Sequence, residues 1–119
     1  MGCDIHGFIE SREDYSREKS IYWSRAKLDL DRDYTLFGLL AGVRGAEEPI
    51  VYDKGLPLDL SGCIKESWEE WGCDAHTPSW LNREEALEVL KVHQTEDMQA
   101  IVALLSVYNN SRFVFWFDN

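Results

Sequence analysis

Arg112-Phe113-Val114-Phe115-Trp116-Phe117 is the stretch on which the fold turns. Every residue after the arginine is apolar, so both alternating faces of an extended segment here are apolar as well. A strand of that kind is buried on both sides. It is bounded by Asn109-Asn110-Ser111 and by Asp118, so we read 112–117 as a buried strand and as the central one of its sheet.

The segments before it supply what would cover such a strand. Thr95 opens a helix that runs through Tyr108 and carries Met98, Ile101, Val102, Leu104 and Leu105. Asn82, with Glu85 three residues on, starts another in capping-box fashion, with Ala86, Leu87, Val89 and Leu90 as its core face. Ser61 caps a helix over 62–71 in which Ile64, Trp68 and Trp71 share a side, and Gly72 ends it. A central helix begins near Arg32, capped by Asp31 or Asp33, and carries Leu36, Phe37, Leu39, Leu40 and Val43 as far as Gly45. Residues 46–60, with Pro49, Gly55 and Pro57, form an irregular connection. Residues 4–10 read as a first strand and 11–20 as a polar turn. Ile21, Trp23, Ala26, Leu28 and Leu30 mark a second strand, irregular near Arg25. The expectation is an α+β fold, an antiparallel sheet of about three strands with about four helices packed on one side. The chain, 1–119, is a single domain.

Composition narrows the possible jobs. With 45% hydrophobic and 13% aromatic residues the chain can bury a core. It has no apolar run of the ~18 residues that a membrane span needs and no secretion signal, so we expect a cytoplasmic location in the host cell. There are 22 acidic residues against 12 basic ones, a net charge of −10, which argues against binding nucleic acid directly. A protein of this charge can instead present carboxylates to a basic surface, where phosphates would otherwise lie. Glu66, Glu69 and Glu70 form one candidate contact group, and Glu84, Glu85 and Glu88 another.

The metal expectation comes from a repeat. Gly2-Cys3-Asp4-Ile5-His6 returns as Gly72-Cys73-Asp74-Ala75-His76, giving two Cys-x2-His pairs. Cys3, His6, Cys73 and His76 would complete a tetrahedral Zn²⁺ shell if the fold brought the pairs together. Asp4 and Asp74 are alternative ligands, or hold the imidazole N–H groups from outside the shell. Asp118 could also reach a metal, though a solvated carboxylate is the blander account. Trp80 would shield such a site, His93 has no partner pattern, and Cys63 reads as a buried helix residue.

The opening Met1-to-His6 stretch, 33–45 (Asp-Tyr-Thr-Leu-Phe-Gly-Leu-Leu-Ala-Gly-Val-Arg-Gly), Gly55-Leu56-Pro57, 74–81 and Phe115-to-Asn119 resemble a family of small phage and prophage proteins. In size and acidity the chain also resembles zinc-containing phage anti-CRISPR proteins that act on the type II effector Cas9. Those resemblances imply a zinc-stabilised inhibitor that binds a host nuclease and blocks its nucleic-acid loading. They also imply that Asp4, His6, Asp74 and His76 recur, while a cysteine at 73 is less regular. The alternative expectation is a small metal-dependent hydrolase using the same Cys/Asp/His cluster, with a bound water and Asp4 or Asp74 as general base.

Overall fold

The structure, a computed structural model, describes residues 2–12, 21–45 and 47–118. Four strands and four helices follow in the order β1 (Asp4–Arg12), β2 (Tyr22–Leu28), α1 (Tyr34–Ala41), α2 (Gly62–Trp71), β3 (Ala75–Leu81), α3 (Arg83–Val92), α4 (Glu96–Val107) and β4 (Ser111–Asp118). All strand pairs are antiparallel and the sheet order is β2-β1-β4-β3, so the aromatic C-terminal strand is interior. This is the expected α+β architecture with one strand more than the sequence suggested. Most of the polar turn expected at 11–20 lies outside the described residues.

β4 sorts the core into two halves. Phe113, Phe115 and Phe117 face one side with Ile5 and Ile9, and there α1, α3 and α4 close the main core. Val114 and Trp116 face the other side with Phe8, where Ile64 and Trp68 of α2 and Leu56 and Leu60 of the preceding loop cover them. Helices therefore lie on both faces of the sheet, not one. The reason is the β4 sequence itself, since apolar side chains on both alternating sets need two covers. Each fully buried phenylalanine contributes about 1.5–3 kcal/mol. Gly7 lets the Phe113 ring lie against β1, because a Cβ there would stand 2.6 Å from Cε1 of that ring.

Buried charge fixes the register. Glu10 and Arg112 are cross-strand partners, and Arg112 Nε donates to Glu10 Oε1 at 2.6 Å. Glu10 Oε2 accepts the Ser61 N–H at 2.7 Å, and Arg112 Nη1 donates to Asp59 at 2.8 Å. The guanidinium also stacks 3.5 Å from the Tyr22 ring centroid. Glu10 is fully buried and Arg112 is 5% exposed, so neither charge has water to fall back on.

The local signals mostly act where the sequence placed them. Asp33 caps α1, Asn82 and Glu85 form a complete capping box, and Thr95 caps α4. The irregularity near Arg25 is a bulge, since Ile9 pairs with Ala26 and Glu10 with Ser24. α1 stops at Gly42 rather than Gly45, because Gly42 takes the left-handed conformation (φ 69°) and donates to Gly38 O and Phe37 O. Cys63 is exposed rather than buried, because it points away from the side on which Ile64 seats α2.

Candidate functional site

β1 and β3 both begin where β4 ends. Asp4 and Ala75 are each cross-strand partners of Asp118, so both copies of the Gly-Cys-Asp-x-His repeat reach one end of the sheet. They arrive in opposite phase. His6 pairs with Trp116 and His76 with Phe117, adjacent residues of β4 that point to opposite faces. A single β4 backbone lies between the two imidazoles.

In the first copy every side chain has a partner. Cys3 is fully buried in the main core, and its N–H donates to the Tyr34 hydroxyl at 3.2 Å. Burial pushes the Cys3 thiol above its ordinary range; Arg44 opposes this, while Asp118 and Asp4 add to it. Asp4 is exposed and accepts from Arg32 in a two-pronged arrangement, at 2.9 Å from Nε and 3.1 Å from Nη2. Those hydrogen bonds hold the Asp4 carboxyl below its usual range. His6 Nε2 lies 2.6 Å from Asp118 Oδ2, with the two side chains only 18% and 15% exposed. The Trp71 ring covers the imidazole at a centroid distance of 4.4 Å. Asp118 is therefore a held, mostly buried carboxylate and not the solvated one expected.

The second copy is looser. Cys73 and Asp74 are exposed on a 3₁₀ turn, Gly72–Asp74. His76 enters β3 and lies against Phe117, with Nδ1 2.9 Å from Thr77 Oγ1, while its Nε2 is buried with no hydrogen-bond partner among the described residues. Thr77 has φ 52°, a left-handed conformation that costs a β-branched residue about 1–3 kcal/mol, and it sits in the bulge between His76 and Ser79.

The Cys3, His6, Cys73, His76 set does not close one zinc shell in this arrangement. Nor do Asp4, His6, Asp74 and His76. The physical reason is phase: the 3₁₀ turn feeds the second copy into its strand so that His76 takes the face His6 does not. Among the described residues no three His, Cys, Asp or Glu side chains stand together as a metal site. Trp80 packs on the cluster formed by Val114 and Trp116 rather than over a metal shell. It pairs with Val114 further along β4, with the Lys54 ammonium 3.7 Å from its ring centroid. His93 pairs with the α1 cap, its Nε2 2.7 Å from Asp33 Oδ2. Burial tends to raise the Asp33 carboxyl, but hydrogen bonds from His93 and the Leu36 N–H outweigh it and the net shift is downward.

The acidic residues divide in the same way. Glu66, Glu69 and Glu70 are exposed on α2, over one face of the sheet, while Glu84 and Glu88 are exposed on α3, over the other. Glu85 turns inward, accepting the Asn82 N–H and pairing with Lys54. The two groups are thus not one continuous surface. Sequence reasoning missed Arg32, Tyr34 and Thr77; only the Asp4-Arg32 charge complementarity could have been suspected, since register and φ are not written in composition. No family model matches this chain, and no curated protein or solved structure does either. Among the described residues no helix is long and apolar enough to cross a membrane.

Proposed function

We propose that this chain is an acidic binding protein that docks on a basic, nucleic-acid-handling surface of a host nuclease of the Cas9 type and blocks its nucleic-acid loading. The observation that carries the proposal is the outward side of α2. Ile64 and Trp68 seat the helix on the sheet and leave Glu66, Glu69 and Glu70 exposed, beside Trp71 at 37% exposure. Lys65 is the one cationic residue of that helix, and the whole chain carries −10. Carboxylates held on a rigid helix suit competition for a phosphate-binding groove, and an exposed tryptophan gives such a contact an apolar anchor. The proposal needs no metal.

Nuclease inhibition measured across a salt series tests it. Inhibition should weaken steadily as ionic strength rises, and a triple Glu66→Gln, Glu69→Gln, Glu70→Gln variant should lower the association rate by about tenfold or more. A nuclease that is not inhibited, or inhibition indifferent to both salt and these substitutions, contradicts the proposal.

A further inference from the structure

The side of the sheet that carries His6 gathers three metal-donor residues that do not share a shell as the chain stands. Asp4 and His6 are two residues apart in β1 and leave the same face. Asp118 is the cross-strand partner of Asp4, and the Asp4 N–H lies 3.4 Å from Asp118 Oδ1. His6 and Asp118 already touch; Asp4 is turned aside by Arg32.

We propose that Asp4, His6 and Asp118 form a binding site for a divalent first-row transition-metal ion, with Arg32 acting as the internal cation that the ion displaces. Both sequence-derived ligand sets differ from this one. It takes two donors from the first repeat, one from β4, and none from the second repeat.

Geometry and charge carry the case. Ligand nitrogen and oxygen atoms lie about 2.0–2.2 Å from such an ion, which puts two donors of one shell about 3 Å apart. The 2.6 Å separation of His6 Nε2 and Asp118 Oδ2 needs to open by only a few tenths of an ångström. Two carboxylates and a neutral imidazole supply a charge of −2, which matches the ion. That donor set, one nitrogen and two carboxylates on one face, suits borderline divalent metals and leaves positions for water. His6 and Asp118 are mostly shielded, so their attraction for a cation is weakly screened. Access exists as well, because Asp4 and His6 line a cleft of about 500 Å³ with Lys27 and Asp29. The obstacle is the Arg32-Asp4 pair, and with both side chains about half exposed it is a weak one.

This site adjoins the docking surface on α2, since the Trp71 ring covers His6, but it does not rest on the docking proposal and its test uses no nuclease. The full chain, stripped with a chelator, is titrated with Co²⁺ while the visible spectrum and the thermal midpoint are followed. Binding should raise the midpoint and give cobalt d–d bands without a thiolate-to-metal charge-transfer band. His6→Gln and Asp118→Asn should weaken binding by more than about tenfold. Cys73→Ser and His76→Gln should leave it unchanged, and Arg32→Met should tighten it by freeing Asp4. Arg32→Met leaves all three ligands in place on an exposed residue, so it decides the matter even where Asp118→Asn fails to fold. No response to Co²⁺, a thiolate band, loss of binding in Cys73→Ser or His76→Gln, or unchanged affinity in Arg32→Met would each overturn the proposal.

Discussion

Residues 2–6 and 72–76 differ at a single position, Ile5 against Ala75, yet the fold treats them as different objects. The first copy is built in: its cysteine is core, its aspartate is clamped by Arg32, and its histidine is held by Asp118 under Trp71. The second is half outside, with an exposed cysteine and aspartate and a histidine whose buried Nε2 has no partner among the described residues. What separates them is the strand phase in which each enters the sheet. A short motif states which chemistry is available, and the register states which face receives it.

The comparison can be broken most severely at the register itself. Glu10 and Arg112 hold β1 against β4, and a slip of one residue would send His6 to the other face. Arg112→Met leaves Glu10 buried and uncompensated, so denaturant unfolding should show a loss of about 3–5 kcal/mol. Next come the two histidines. His6→Ala strips Asp118 of its histidine partner and should cost about 2 kcal/mol or more, whereas His76→Phe keeps the ring and removes an orphaned nitrogen while losing the Nδ1–Thr77 contact, so it should cost less than about 1 kcal/mol. Equal destabilisation by the two substitutions would mean that the copies are equally built in. A smaller effect should come from Thr77→Gly, which relieves a left-handed φ and should stabilise by about 1 kcal/mol in thermal unfolding. The smallest is Cys73→Ser, within about 0.5 kcal/mol of the parent. A thiol reagent should meanwhile modify Cys63 and Cys73 in the native protein and reach Cys3 only on unfolding.

Much of the fold was legible because it follows from local signals. The apolar run 112–117 is an interior strand because no other placement hides both of its faces, and Asn82 with Glu85 starts a helix by satisfying its own end. β3 was not legible. Thr77 and Pro78 break its alternation, and it is a strand because β4 has an open edge to fill. The two helix layers were implicit in the same aromatic run, but which helix covers which face depends on long-range packing. The site was half legible. His6 and Asp4 were singled out as donors from the repeat, and both copies of that repeat lie at one end of the sheet. The partners they find, Asp118 for His6 and Arg32 for Asp4, lie 112 and 28 residues further along the chain. No spacing rule reaches that far.

The opposite phase of the two histidines is the claim on which the rest depends, and nuclear Overhauser contacts from their imidazole protons test it directly. The His6 ring should show contacts to the Trp71 and Trp116 indoles, and the His76 ring to Phe117, with no cross-peak between the two histidines. A His6–His76 cross-peak, or contacts from both rings to the same tryptophan, would contradict this account.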